Sequence, residues 1–256
     1  MIIKNYIIHS PLGKGYFGDV FIGTHTITKE KIAIKLSDPK NKWCLQNEAK
    51  CYIKLKNVHH IPKMRYFGKI DTFHYIVMDL LGVSLETLQQ QKSIFSPNIV
   101  STWGIQLLDC LKQIHSNNIV HRDLKPANIL FNQGIENVYI CDFGLASSYM
   151  ISKTKHIPIC EGCSGSVRYM SLHSHQNIFA VRRDDIESLG YILWELLEGT
   201  LPWAHKKASE VESIKLASLP KNESLKLFIL HARQLCFPDE PNYLLLLAYL
   251  KRICLQ

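Results

Sequence analysis

Up to about residue 80 the chain alternates short apolar runs with turn residues. Ile2-Ile3 to Ile8, Val20-Phe21-Ile22, Ile32-Ala33-Ile34-Lys35-Leu36 and Tyr75-Ile76-Val77-Met78 are β-branched or aromatic stretches of strand length. One helical pattern interrupts them between Trp43 and Lys56, where Leu45, Ala49, Tyr52, Ile53 and Leu55 approximate one face and Glu48 sits on an adjacent turn. After Gly82 the period lengthens. Ser96-Pro97 predicts a helix start, followed at three- and four-residue steps by Val100, Trp103, Leu107, Cys110, Leu111 and Ile114. A second helix is predicted from Asp184-Asp185 through Ile186, Leu189, Ile192, Leu193, Leu196 and Leu197 to a Gly199 stop, and a terminal one over Tyr243 to Leu250. The pattern therefore predicts a strand-rich part, about 1–80, and a helical part, about 83–256, joined near 79–82. Ligands often sit in the cleft between two such parts.

Composition narrows the class without choosing a function. With 256 residues, 46% hydrophobic and 20% charged, the chain falls in the globular range and is long enough for one or two units with real cores. The formal charge of +8 suits nucleic acid, an anionic membrane, nucleotide phosphates or acidic proteins. No apolar run approaches the ~18 residues of a membrane span, and the start lacks a signal-peptide core, so an intracellular, cytoplasmic location is expected, with the nucleus as an alternative. The eight cysteines are scattered, with one Cys-x-x-Cys pair at Cys160 and Cys163. That spacing does not repeat, so reduced thiols are expected rather than a zinc site, although His156 is close.

Gly13-Lys14-Gly15-Tyr16-Phe17-Gly18-Asp19-Val20 is a G-x-G-x-x-G-x-V string. Dinucleotide-binding proteins use a similar one, but there the third glycine opens a helix, whereas Val20-Phe21-Ile22 reads as a strand. The glycines are thus expected to cap a hairpin lying over nucleotide phosphates. Downstream, Lys35 follows a run built for burial. Either it snorkels to solvent, or it is partnered by phosphates and a carboxylate, with Glu48 the candidate.

His121-Arg122-Asp123-Leu124-Lys125-Pro126-Ala127-Asn128 and Asp142-Phe143-Gly144 complete an ordered set. With Ile32-Ala33-Ile34-Lys35 and the glycine string, these motifs resemble the signature of eukaryotic protein kinases. The resemblance implies a bilobal α+β fold spanning 1–256 as a single kinase domain, with ATP and Mg²⁺ as its cofactors. It implies nucleotide contacts from Leu12 through Val20, from Ala33 and Lys35, and from Met78, Asp79 and Leu81 at the hinge. It implies metal ligation by Asn128 and Asp142, with catalysis by Asp123 and Lys125 supported by the Lys35–Glu48 pair.

Gly165-Ser166-Val167-Arg168-Tyr169-Met170-Ser171-Leu172-His173-Ser174-His175 stands where most kinases carry Ala-Pro-Glu. Together with Arg182-Arg183-Asp184-Asp185 to Tyr191, with Leu201-Pro202-Trp203 and with Phe237 to Tyr243, it resembles the casein kinase I family. Vaccinia-related kinases are the next nearest pattern. The resemblance implies a monomeric Ser/Thr kinase for acidic or already phosphorylated proteins, with Arg168 in an anion pocket. The alternative for Arg168 is an internal ion pair that orders the segment. One departure is Ala208-Ser209-Glu210-Val211-Glu212-Ser213, partly acidic where that family is basic; Lys206 and Lys207 could compensate. Asp185 matches a buried helix-start carboxylate of structural role. Ser147, Ser148, Tyr149, Ser152 and Thr154 are candidate autophosphorylation sites, and Cys141 reads as a small buried thiol. No regulatory tail is expected beyond these motifs. The competing functions are an ATP-binding pseudokinase scaffold, a small-molecule kinase, and a nucleic-acid binder. The last rests on charge alone, so neither nucleic acid nor membrane is expected as a partner.

Overall fold

The computed structural model describes residues 2–15, 18–37, 42–152, 155–156 and 165–255. Six antiparallel strands form one sheet: β1 (Ile2–Ile3), β2 (Tyr6–Gly15), β3 (Gly18–His25), β4 (Lys31–Ser37), β5 (Met64–Ile70) and β6 (Phe73–Asp79), in the order β1-β2-β3-β4-β6-β5. Helix α1 (Lys42–Lys54) packs on it. In β4 the side chains alternate between faces. Ile32 and Ile34 join Ile3, Tyr6, Ile8, Tyr75 and Val77 on one side, while Ala33 joins the main core on the other. Lys35, two residues after Ala33, must share its face, which is how a lysine comes to sit inside an apolar strand.

The helical part contains α2 (Leu85–Gln91), α3 (Pro97–Ser116), α4 (Leu172–His175), α5 (Arg182–Glu198), α6 (Ala208–Ala217), α7 (Glu223–Gln234) and α8 (Tyr243–Arg252). Two small hairpins accompany them, β7 (Ile129–Phe131) with β8 (Val138–Ile140), and β9 (Met150–Ser152) with β10 (Lys155–His156). Helix α3 starts with Pro97 in its first turn and buries the predicted stripe Val100, Trp103, Leu107, Cys110, Leu111 and Ile114. Helix α5 is the central strut. Every residue from Arg183 to Leu196 is buried, and Gly199 ends the helix with φ of 82°.

One continuous apolar core runs from Ala33, Tyr52 and Met78 through Phe131 and Phe143 to Leu193 and Phe228, so sheet and helices share it. This is the bilobal α+β architecture expected from the sequence motifs. Among the described residues, β5, α2, α6 and α7 escape the pattern reading, as do the short α4 and the two small hairpins β7–β8 and β9–β10. In β5 basic residues interrupt the alternation of Met64-Arg65-Tyr66-Phe67-Gly68-Lys69. Helix α2 carries a Gln89-Gln90-Gln91 run and is fixed by its cap instead, with Ser84 Oγ accepting from Thr87 N at 3.1 Å.

Candidate active site

Strands β2 and β3 form the glycine hairpin, with Gly13 opposite Val20, Lys14 opposite Asp19 and Gly15 opposite Gly18. The turn residues Tyr16 and Phe17 lie outside the described residues. Gly18 has φ of 150°, and a Cβ there would stand 1.8 Å from Leu36 O, so no other residue fits against β4. A Cβ at Gly13 would meet nothing within 4 Å, so the loop keeps open space there. Leu12 is exposed on β2, and Val20, Ala33 and Met78 belong to the shared core. Ala33 pairs with Met78 across β4 and β6, and β6 ends at Asp79. The Asp79 carboxylate is committed to Arg65 Nε at 2.7 Å and Lys63 N at 3.1 Å, leaving its role at the hinge to the backbone. Among the described residues, the backbone of Leu81 makes no hydrogen bond.

Lys35 does not snorkel. Its Nζ donates to Glu48 Oε2 at 2.7 Å and to Asp142 Oδ1 at 2.8 Å, joining β4, α1 and the Asp142-Phe143-Gly144 turn. Burial works against the Lys35 charge, but the two carboxylates outweigh it and hold the ammonium protonated. Burial pushes Glu48 up to about 7 despite Lys35, whereas Lys35 overcomes burial at Asp142 and holds its carboxyl below the usual range. Asp142 adopts φ of 65°, which a short polar side chain tolerates. Phe143 beneath it makes edge contacts with Tyr52 of α1, centroids 5.2 Å apart, and with His121, 5.1 Å apart. Tyr52 lies one helical turn after Glu48, so both reach the same neighbourhood. Asn47 Nδ2 donates to Ala146 O at 2.7 Å and ties α1 to the following segment.

Asp123 is buried and crowded with donors. Its Oδ1 accepts from Ser166 N and Ser166 Oγ, both at 3.0 Å, and its Oδ2 accepts from Lys125 Nζ at 2.6 Å. Asn128 Nδ2 donates to Asp123 O at 2.8 Å, which leaves its amide oxygen as a hard ligand atom. Asp185 at the start of α5 holds the loop from below. It accepts from His121 N at 2.7 Å, Arg122 N at 2.9 Å and His115 Nε2 at 2.9 Å. Burial would raise its pKa, but the His115 hydrogen bond and charge keep it below the usual carboxylate range.

Other sequence expectations fare differently. Arg168 forms an ion pair with the buried Glu195, whose second oxygen accepts from Tyr169 OH at 2.5 Å. Its Nη2 thus makes the internal pair weighed from the sequence, while the side chain remains 38% exposed and its role toward substrate anions stays a matter for the proposal below. Tyr149 is buried and donates to His115 O at 2.8 Å, and Ser147 Oγ is buried as well, so neither hydroxyl is accessible, whereas Ser148 is half-buried. Burial pushes the Cys141 thiol well up, in keeping with an inert thiol. Thr154, Cys160 and Cys163 lie outside the described residues, as do the side chains of Ser152 and His156. No metal-holding group of three or more His, Cys, Asp or Glu occurs among the described residues. The pattern reading passed over Tyr52, His115 and Glu195 as site supports; their only sequence signal is spacing on helix faces that read equally well as core.

The Lys35–Glu48–Asp142 triangle, reached from three separate stretches of chain, is the geometry that phosphoryl transfer asks of a nucleotide site. Residues 6–236 match the family model described as the protein kinase domain, and the chain accordingly belongs to the protein kinase family.

Proposed function

We propose that this protein is an active serine/threonine kinase and that residues 1–256 act as one catalytic domain hinged at 79–82. The observation that carries activity is the closed Lys35–Glu48 pair at 2.7 Å, with Asp142 also on Lys35 at 2.8 Å and Asp123, Lys125 and Asn128 all present. A pseudokinase scaffold would not need this full set.

In this reading the glycine hairpin covers the ATP phosphates, Lys35 binds the α- and β-phosphates, and adenine takes hydrogen bonds from the backbone between Asp79 and Leu81. The donor set fits Mg²⁺. Asn128 and Asp142 offer two hard oxygens that would hold the ion, with phosphate oxygens and water as its other ligands. When bound, the metal would neutralise charge on the phosphates. Asp123 orients the acceptor hydroxyl and takes its proton late in the transfer. Lys125, which rests on Asp123, would turn its ammonium to the γ-phosphoryl oxygens as negative charge develops there. Ser166 holds the other Asp123 oxygen and so fixes the angle of the base.

Casein-kinase-I-like acceptor preference, for acidic or phosphorylated proteins, is part of the proposal. The +8 charge and the exposed Lys206 and Lys207 support it, while Arg168 is committed to Glu195. An intracellular, cytoplasmic site of action and a monomeric state are proposed with it. The test is transfer of labelled γ-phosphate from Mg-ATP to dephosphorylated casein, followed by phosphoamino-acid analysis. Transfer to serine and threonine that Asp142→Ala abolishes is expected. A protein that binds Mg-ATP in a thermal-shift assay but transfers nothing would instead be the scaffold.

A further inference from the structure

Helix α6 carries a lysine that no motif accounts for. Lys215 is fully buried, although among the described residues no carboxylate forms an ion pair with it. Its Nζ donates to Val167 O at 2.8 Å and Met170 O at 2.7 Å, and lies 3.1 Å from His175 Nε2. The rings of Tyr191 and Trp203 flank it, with centroids 4.9 and 5.4 Å from Nζ. Glu187 of α5 and Arg233 of α7 are the charged groups near it, and they pair with each other at 3.0 Å. Glu212 on its own helix is turned to Gln176 at 3.3 Å. A buried amine without a counter-ion is expensive unless its hydrogen bonds are needed.

Those bonds fall on one short turn. Tyr169 N and Met170 N both donate back to Ser166 O, at 2.8 and 2.9 Å, so 166–170 is a closed loop of backbone. Its first residue, Ser166, is bonded to Asp123, and after its last residue Ser171 is bonded to Asp184 at the start of α5. Lys215 grips the carbonyls in between. Burial lowers its ammonium to about 7, and burial also keeps His175 neutral, near 4. The contacts survive either state: the ammonium donates three times, and the neutral amine donates to both carbonyls and accepts from His175 Nε2–H.

We infer that Lys215 is a positioning residue for the acceptor polypeptide, pinning the 166–170 turn beside Asp123 so that its outer face can receive the chain that presents the hydroxyl. The inference rests on the kinase reading above. It separates acceptor handling from nucleotide handling, because among the described residues Lys215 makes no hydrogen bond or ion pair with the glycine hairpin, the hinge or the Lys35 triangle.

The experiment measures KM for an acidic serine peptide, KM for ATP and kcat in wild type, Lys215→Met and Lys215→Arg, with the Mg-ATP thermal shift as the check on folding. Methionine keeps the stem and removes the donors; arginine keeps donors. The expected result is an acceptor KM raised about tenfold or more in Lys215→Met, as loss of one or two hydrogen bonds implies. ATP KM and the thermal shift stay at wild-type values, and Lys215→Arg lies nearer wild type. An unchanged acceptor KM in Lys215→Met, a fall in kcat alone, or loss of the Mg-ATP shift in both variants overturns the assignment, the last by making Lys215 a support of the whole fold. No transfer by wild type to any acceptor would refute the kinase reading itself, and this inference with it.

Discussion

Replacing Asp185 by alanine should cost more stability than any surface change, and the structure gives the size. The carboxylate is fully buried and satisfies three donors: His121 N, Arg122 N and His115 Nε2, at 2.7, 2.9 and 2.9 Å. An orphaned buried donor costs about 1–3 kcal/mol, and water can re-satisfy some of the three, so the expected loss is about 3–6 kcal/mol. Arg122 adds to this. Its φ of 71° is unfavourable for a long side chain, a strain of roughly 1–3 kcal/mol that persists only while its N–H is held. Asp185→Asn keeps the shape but turns an NH₂ toward one of the donors, and should lose roughly half as much. The carboxylate's folded pKa is depressed, so its contribution is complete above the unfolded value and disappears as pH falls through the folded one. Urea unfolding at pH 7 with an unchanged m-value is the assay, read beside phosphate transfer, which should drop because Asp123 follows immediately after Arg122. A loss below about 1 kcal/mol for Asp185→Ala would refute the claim that this carboxylate supports the catalytic loop.

Three further predictions use other parts of the molecule. Glu48→Gln leaves Lys35 with Asp142 alone, and displacement of the lysine should lower kcat/KM for ATP about 10²-fold while thermal stability changes little; near wild-type turnover would remove Lys35 from phosphate binding. Arg168→Ala strands the buried Glu195, so stability should fall by about 1–3 kcal/mol and phosphorylated and unphosphorylated peptides should lose efficiency equally. A loss confined to phosphoserine peptides would instead restore Arg168 as an anion site. His173 and His175 are held near 4 by burial, so the unfolded chain binds more protons than the folded one between pH 6.5 and 4, and stability contributed by each ring falls as pH drops through that window. The rings are only half-buried, which reduces the effect to about 1–2 kcal/mol each. Asp184, raised to about 7 by burial, changes in the opposite sense, so the measurement is the difference between His175→Gln and wild type at pH 7 and pH 5. A difference that does not change with pH would count against the burial argument.

The residues proposed to meet nucleotide and metal are legible because their chemistry forces unusual local sequence. A lysine inside an apolar strand, three spaced glycines and a carboxylate next to Phe143 each break a local rule, and such breaks mark function. Long amphipathic helices such as α3 and α5 were equally plain, since Val100 to Ile114 and Ile186 to Leu197 repeat their apolar spacing over several turns. What the sequence hides is partnership at a distance. Arg168 looks free for an anion until α5 brings Glu195 to it, 27 residues later in the chain. Tyr149 looks like a phosphorylation site until His115 O accepts its hydroxyl. Lys215 reads as an ordinary helix-end lysine at the C-terminus of α6, where the helix dipole alone would explain it. Only the fold turns it inward onto the carbonyls of Val167 and Met170. The hidden residues share a physical trait. Each is a polar group whose partner is a backbone carbonyl or a single distant carboxylate, and a backbone carbonyl leaves no mark in the amino-acid sequence. A motif can therefore reveal the groups proposed to meet the nucleotide, while the side chains that hold a loop such as 166–170 in shape emerge only when every buried donor is followed to its acceptor.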